Sequence, residues 1–286
     1  MLVTLPHTIN TVKIILAPTD FSKTARNAIN YAAEIAKRTK AKIVLLHVYH
    51  PPVIIAEAPI VLPLPADFEK ECMNRLKKIR YGLLTKHGHG FNVELVCLNG
   101  LATEVISEYA KTNKAKLIVV GTHGAGYLEE KLLGSITSEI IKNSVIPVLS
   151  VSGNVKFKSI KKIVVATDYE QLESKTILDP LKEMAQLYKS HIYILNIAGE
   201  ENAVPTTSQA VEGIKLDHLL ENHDHSFHSL INKDVVKGIN EFVDALRSDM
   251  IVMLPRSRSF MQSILKKSES KAMAFHTTTP LLTIHS

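Results

Sequence analysis

Cysteine and tryptophan are scarce in this sequence of 286 residues, which holds two cysteines and no tryptophan. Cys72 and Cys97 lie in a predicted helix and a predicted strand and show neither a disulfide framework nor a zinc-ligand spacing. No segment has the roughly 18 consecutive apolar residues of a membrane-spanning helix, and the first residues lack the basic start and apolar stretch of a signal peptide. We therefore expect a protein of the reducing cytoplasm, with no membrane partner.

Basic residues outnumber acidic ones, 34 against 28, which gives a formal net charge of +6. This excess suits an anionic ligand. The lysines and arginines are spread along the chain without a dense basic run, so nucleic acid is not an expected partner. A hydrophobic content of 45% with 22% charged residues is typical of a globular protein and not of a disordered one.

The strand-like segments of the first half recur in the same order in the second half. The pairs are IILAPTD at 14–20 with KIVVATD at 162–168, IVLLHV at 43–48 with IYILNI at 192–197, and IPVLSV at 146–151 with TPLLTI at 279–284. Short apolar runs alternate with amphipathic stretches, as in βαβ units. We predict an α/β fold of two tandem five-stranded parallel-sheet, Rossmann-like domains, 1–153 and 158–286, with a break between Ser152 and Lys158.

A glycine-containing stretch follows the predicted fourth strand. The apolar run LIVV at 117–120 is typical of a buried parallel strand, GTHGAGYLEEKLLGS follows at 121–135, and SITSEII then begins a helix. At the carboxyl edge of a doubly wound sheet, the N–H groups of a glycine turn and of a helix N-terminus attract anions. The stretch therefore predicts a phosphate site.

Two motifs together resemble the universal stress protein family, and specifically its ATP-binding branch. One is the strand end PTD at 18–20, and the other is G-x2-G-x9-G-S at 121–135. The resemblance, which the repeat extends over nearly the whole chain, implies an adenine nucleotide alpha hydrolase-like fold and a role in the stress response. It also implies dimeric assembly or its covalent mimic, and thus pairing of the two domains and a homo-oligomer.

The resemblance implies a role for each matching residue. Asp20 would bind the ribose hydroxyls of ATP, and four strand-end residues would surround the adenine: Ala17, Pro18, Thr19 and Val48. Six residues would bind the phosphates, the last two from a helix N-terminus: Gly121, His123, Gly124, Gly134, Ser135 and Ile136. Mg²⁺ would accompany the phosphates. Glycine suits the loop because a side chain would block the anion and because a positive φ is cheap only for glycine.

Asp20 and His123 each have a plainer interpretation. Asp20 could cap the helix that follows it, and His123 could be a solvated loop residue of which only the backbone matters. No catalytic residue is predicted, because Ala125 and Gly126 supply no cationic clamp for phosphoryl transfer. The sequence therefore favours an ATP-binding regulatory stress protein with an unidentified protein partner. A nucleotide-independent interaction scaffold and a slow ATPase are the alternatives.

The motif positions have changed in the second half. Aligning LIVVGTHG with MIVMLPRS places four other residues at these positions: Pro255, Arg258, Ser268 and Glu269. Proline removes a backbone donor, the arginine side chain fills the space of a phosphate, and the glutamate repels an anion. We expect the nucleotide in the first domain only, with the second domain as its permanent partner.

Three other features are less specific. The proline-rich stretch 51–65 could be a lid or an interaction arm. The histidine-rich stretch 218–228 precedes or overlaps a predicted strand, and it favours a polar surface loop over a zinc site because its ligand spacing is poor. Pro180 falls inside the first helix of the second copy and suits a helix start only if Asp179 is the cap. That helix should therefore be shortened or kinked.

Overall fold

The described part of the chain contains ten strands and seven α-helices, most of them in alternation. The computed structural model describes residues 14–50, 65–122, 134–169, 174–199, 206–254 and 279–284. The strands in these ranges are β1 (Ile14–Pro18), β2 (Lys42–Tyr49), β3 (Val93–Asn99), β4 (Leu117–Gly121), β5 (Val148–Val151), β6 (Lys162–Ala166), β7 (His191–Ala198), β8 (His225–Ile231), β9 (Met250–Met253) and β10 (Leu281–Thr283). The helices are α1 (Lys23–Thr39), α2 (Pro65–His87), α3 (Ala102–Thr112), α4 (Ser135–Asn143), α5 (Asp179–Tyr188), α6 (Thr207–Leu220) and α7 (Val235–Leu246). None of these helices is both long and apolar enough to cross a bilayer.

All ten strands belong to one sheet, in the order β3-β2-β1-β4-β5-β10-β9-β6-β7-β8. Pairing is parallel within each half, and the two halves meet at β5 and β10, which pair antiparallel with Leu282 opposite Leu149. Read from its outer edge, each half has the same strand order. The predicted α/β fold with parallel strands is confirmed. The two halves were expected to pair through edge strands or faces, and the structure joins them through edge strands into one continuous sheet. The boundaries 1–153 and 158–286 stay a prediction.

Apolar side chains fill both faces of the sheet. On one face a single core runs through both halves beneath α1, α2, α5 and α6, and it includes Ile15 and Ile163. On the other face each half has its own core, beneath α3 and α4 in the first half and beneath α7 in the second. Fully buried parallel strands read as near-continuous apolar runs, which is why the sequence located them correctly.

The segment that joins the halves is anchored by aromatic packing. The ring of Phe157 lies 4.9 Å from that of Tyr31 in α1 and 6.1 Å from that of Tyr188 in α5. The guanidinium of Arg38 lies 5.0 Å from the Phe157 ring centroid, within cation–π range. Burial in this cluster raises the pKa of Tyr188 to about 12. The connection between the halves is therefore part of the core.

A buried carboxylate holds the same segment to the second half. Asp249 Oδ2 accepts hydrogen bonds from the backbone N–H groups of Lys161 at 2.8 Å and Lys162 at 3.0 Å. Its other oxygen pairs with Lys158 Nζ at 2.8 Å. Because one side chain satisfies donors from the connection and from β6, it fixes where the second half begins.

Cys72 of α2 and Cys97 of β3 are joined by a disulfide bond, with their Cα atoms 6.5 Å apart. The expectation that they form no disulfide is wrong. The helix α2 is the crossover between the parallel strands β2 and β3, and such a helix packs back onto its own sheet. Two cysteines far apart in the sequence therefore meet, and the cysteine content gives no support for a reducing compartment.

The first helix of the second half begins late. Residues Lys175–Leu178 form a 3-10 turn, and α5 then runs for 10 residues against 17 in α1. The predicted shortening is confirmed. The cap at Asp179 is wrong, because Leu178 is the N-cap and Asp179 and Pro180 occupy the first two helical positions. Proline is tolerated there because its missing N–H has no helical acceptor.

Candidate functional site

A cleft opens where the strand order of the first half reverses, between β1 and β4. It has a volume of about 390 Å³ and lies beyond the carboxyl ends of these strands, above the side chains of α3 and α4. In open α/β sheets this reversal leaves a crevice in which ligands bind. Eight residues that the sequence singled out line it: Pro18, Thr19, Asp20, Val48, Gly121, Gly134, Ser135 and Ile136.

Three predicted residues stand apart from this lining. Ala17 is fully buried in β1 and does not line the cleft. His123 and Gly124 lie outside the described residues, as do Pro255, Arg258, Ser268 and Glu269 of the second half. The proline-rich stretch 51–65 is also outside them, except for Pro65, at which α2 begins.

The turn after β1 places Asp20 at the mouth of the cleft. The backbone N–H of Thr19 continues the pairing with β2 by donating to the Leu46 carbonyl at 2.8 Å. Asp20 is exposed, and its Oδ1 accepts from the Ser22 N–H at 3.0 Å. Ser22 is the residue that caps α1, because its Oγ accepts from the Ala25 N–H at 3.0 Å. The interpretation of Asp20 as the cap of that helix is therefore wrong.

The N-terminus of α4 faces the same cleft. The first three N–H groups of a helix have no acceptor within it, and here they belong to Ser135, Ile136 and Thr137. None of the three has an acceptor among the residues that the structure describes. Donors of this kind, together with the helix dipole, favour the approach of an anion.

Gly121 and Gly134 support the cleft differently from what the sequence suggested. Neither has a positive φ, so the argument from the left-handed conformation is wrong for both. A Cβ at Gly121 would lie 2.9 Å from Thr24 Cγ2 and 3.1 Å from the Ala25 nitrogen, so glycine is needed there for α1 to pack against β4. The Gly134 N–H donates to the Thr122 carbonyl at 2.6 Å and is thus not available to a phosphate.

His47 is a lining residue that the sequence analysis missed. Its Nδ1–H donates to the Thr19 carbonyl at 2.7 Å, and its ring lies 4.4 Å from that of Phe21. The guanidinium of Arg75 also contacts Phe21, 3.8 Å from the ring centroid. These contacts fix the His47 ring beside the strand end. His47 directly precedes Val48 in β2, and this position could have indicated that it lies near the cleft.

The rest of the missed lining is mostly apolar and comes from helices and buried strands. It consists of Ala25, Leu46, Ala102, Ile106, Val120, Thr137 and Ile140. The amphipathic stripes of α3 and α4 were visible in the sequence, but they do not show which of their residues reach the cleft. The lining thus combines apolar side chains with one carboxylate and a helix N-terminus.

The second half has a similar turn after β6. The Thr167 N–H donates to the Leu195 carbonyl at 3.0 Å, and Thr167 Oγ1 accepts from the Tyr169 N–H at 3.1 Å. Asn196 takes the place of His47 and donates from Nδ2 to the Thr167 carbonyl at 3.0 Å. The carbonyl of Asp168 accepts from Gln209 of α6 at 3.3 Å.

The histidine-rich stretch is mostly not a loop. His218 lies in the last turn of α6, His223 in the turn that follows, and His225 and His228 in β8. The prediction of a polar surface loop is therefore wrong for most of the stretch, because it spans the end of α6 and the start of the edge strand β8. No group of three or more potential ligands suited to a metal ion occurs in the described part of the chain.

The sequence of this chain is similar to those of known proteins. The sequence model of the Universal stress protein family matches residues 11–152. Universal stress protein MJ0531 of Methanocaldococcus jannaschii is 33% identical over 150 residues, which are 50% of this chain and 83% of that protein. Universal stress protein MJ0577 of the same organism is 32% identical over 152 residues, or 49% of this chain and 94% of that protein.

The fold as a whole also has a counterpart. The crystal structure of a universal stress protein from Archaeoglobus fulgidus matches with a TM-score of 0.71 at 15% identity, covering 96% of this chain and 98% of that one. The likeness extends through the second half, which the family model does not cover. From its sequence relatives and its fold, this chain belongs to the universal stress protein family.

Proposed function

We propose that the first half binds ATP in the cleft between β1 and β4 and that this binding regulates the protein in a stress response. The observation that supports the proposal most is that the exposed carboxylate of Asp20 and the N-terminus of α4 border one cleft. A carboxylate accepts hydrogen bonds from two ribose hydroxyls, and a helix N-terminus binds phosphate. The family of the chain supports the stress-response role.

The proposed phosphate contacts start from α4. Its first backbone N–H groups, at Ser135, Ile136 and Thr137, would bind the phosphates, while Gly121 and Gly134 shape the backbone around them. His123 and Gly124 are assigned to the same role from the family motif. Micromolar affinity corresponds to about −8 kcal/mol, which these hydrogen bonds, the ribose contacts and the burial of the adenine would supply together.

The adenine would lie against the apolar wall. Val48, Ala102 and Ile106 line this part of the cleft, with Pro18 and Thr19 at the strand end. Small-molecule sites are mostly apolar with a few placed polar groups, and their volumes start at about 300 Å³. The cleft, at about 390 Å³, is large enough for such a ligand.

Mg²⁺ would enter with the nucleotide. It keeps several waters and is bound through one or two carboxylates together with substrate phosphates. Asp20 is the carboxylate in the described lining of the cleft, so the phosphate oxygens would supply most ligands. We propose binding rather than turnover, because that lining contains neither a lysine nor an arginine to stabilise a transferring phosphoryl group.

Titration calorimetry of the full chain with MgATP tests the proposal. We expect one nucleotide per chain, because the loop motif is present in the first half alone. Asp20→Asn should weaken binding by about tenfold through the lost ribose contacts. The matched control is Asp168→Asn at the corresponding position of the second half, which should leave the affinity unchanged.

Other outcomes would decide against the proposal. Two nucleotides per chain would place one in the second half and remove the asymmetry. Equal losses of ATP affinity in Asp20→Asn and Asp168→Asn would show that the carboxylate of Asp20 supports the fold and does not contact the nucleotide. An absence of nucleotide binding would favour the interaction scaffold.

A further inference from the structure

A second and larger cavity lies between the two halves. This seam cavity has a volume of about 630 Å³. It is bounded by the end of α3 and the start of β4 (residues 111–117), by the loop 145–147, and by α5 (residues 179–187). It is larger than the cleft between β1 and β4, and none of its lining residues lines that cleft. Ligand sites are common at such junctions.

Most of the seam cavity is apolar. The second half contributes Pro180, Met184 and Leu187, and the first half contributes Ile146, Pro147 and Val145. Val145 is 65% exposed where it lines the cavity. An apolar portion of a ligand would remove these side chains from water.

Positive charge collects at one side of the cavity. Lys111, in the last turn of α3, and Lys114, three residues later, both line it and are exposed. Neither makes an ion pair with any residue that the structure describes. The backbone N–H of Lys114 donates to the Lys111 carbonyl at 3.1 Å, so the two side chains start from one tight turn.

The two carboxylates in the lining do not neutralise these lysines. Asp179 pairs with Lys182, 4.0 Å away on the same helix. Glu183 interacts with Lys116, whose charge opposes the rise in pKa that burial and Asp179 cause in that carboxyl group. Arg38 also lines the cavity, but it pairs with Glu34 at 3.7 Å. The charge left for a ligand is therefore that of Lys111 and Lys114.

We propose that the seam cavity is a second ligand site, for an amphipathic anion with an apolar chain or ring and a single carboxylate or sulfonate head group. The apolar part packs against Val145, Met184 and Leu187, and the head group lies at Lys111 and Lys114. Because the ligand contacts both halves, it stabilises their junction. The site is independent of nucleotide binding.

The probe is 1-anilinonaphthalene-8-sulfonate, an amphipathic anion whose fluorescence rises in apolar surroundings, used with the full chain. We expect saturable binding at one site, displaced by decanoate. Decanol, which has the same chain length without a charge, should displace it at least about tenfold less well. ATP should not displace it. Displacement by ATP would place the probe in the other cleft and overturn the proposal, as would absence of binding or equal displacement by decanol.

Two pairs of variants locate the site. Val145→Asp puts a charge at the mouth of the cavity, and Val211→Asp is its control at another exposed valine, in α6. Lys111→Glu/Lys114→Glu reverses the charge at the head-group position, and Lys70→Glu/Lys77→Glu makes the same charge change on exposed positions of α2. We expect about a tenfold loss of probe affinity or more in the first member of each pair and no change in the second. Equal effects within either pair overturn the proposal.

Discussion

The turns after β1 and β6 are built alike, yet only the first half carries the loop motif. In both turns a threonine hydroxyl accepts from the residue two positions later, Phe21 or Tyr169, and both of these residues have a positive φ. The shared geometry shows that the strand-end turn is a property of the fold. An aspartate in that turn therefore does not by itself mark a ligand site. What adds specificity in the first half is the N-terminus of α4 across the cleft.

The starts of β4 and β9 differ in charge at one equivalent position. The Lys116 N–H donates to the Ile14 carbonyl at 3.0 Å, and the Asp249 N–H donates to the Lys162 carbonyl at 2.9 Å. Lys116 lines the seam cavity, whereas Asp249 is buried and binds the connection between the halves. The side chain at this backbone position thus lines a cavity in the first half and binds the connecting segment in the second half.

The largest expected effect tests this difference. Asp249→Ala leaves two backbone N–H groups and Lys158 without their acceptor, and we expect it to lower the free energy of unfolding by about 3 kcal/mol. Urea denaturation measures it. The control is Asp244→Ala at an exposed position of α7, which should change stability by less than about 0.5 kcal/mol. Comparable losses in both variants would contradict a special role for Asp249.

The next effect tests why Gly121 is needed. Gly121→Ala would force a methyl group against the backbone of α1, and we expect a loss of about 2 kcal/mol in unfolding free energy. Gly82→Ala is the control, because a Cβ there meets open space inside α2, and alanine should gain up to about 1 kcal/mol. Urea denaturation in the absence of nucleotide measures the unfolding free energy of both variants. A stable Gly121→Ala protein would return this glycine to a role in phosphate contact.

A proline substitution can remove one proposed phosphate donor while preserving its helix. Ser135 is the first residue of α4, and the ψ of 156° at Gly134 is compatible with a following proline. Ser135→Pro deletes the N–H and should weaken ATP binding by about tenfold, or 1.4 kcal/mol. Ser135→Ala keeps the N–H, so calorimetry should show a smaller loss. Equal losses would assign the contact to the hydroxyl group instead.

The smallest expected effect compares the outer strands β8 and β3, of which β8 should make stability depend on pH through His225. Burial tends to lower the pKa of His225, but hydrogen bonds to the His223 carbonyl and to Asp217, with the charge of Asp224, outweigh it and raise the pKa. The corresponding residue of β3 is Val93. A raised histidine pKa contributes stability below the unfolded value of about 6.5 and loses it as the pH rises through the folded value.

Asp217→Asn should therefore reduce the loss of stability that occurs as the pH rises above about 6.5. Because Asp217 is 64% exposed, the difference should stay below about 1 kcal/mol. Urea denaturation at several pH values measures it, with Asp244→Asn as the control. An unchanged pH dependence of stability would show that Asp217 does not raise the pKa of His225.

The strands were predictable because a parallel sheet covered on both faces requires apolar runs. The site was predictable in part, since Asp20 and Ser135 each stand next to an element boundary that the sequence marks. The pairing of β5 with β10 and the disulfide between Cys72 and Cys97 were not, because both depend on packing between distant segments. The role of Gly134 was not predictable either, because its N–H donates to the carbonyl of Thr122, twelve residues earlier in the chain.

The antiparallel contact of β5 with β10 gives the sheet two unlike rims. Strands of the first half end at the rim where those of the second half begin, so the cleft for the proposed nucleotide and the seam cavity open in opposite directions. A molecule docked on one rim leaves the other accessible. Ligands at the two proposed sites would therefore not compete for the same rim of the sheet.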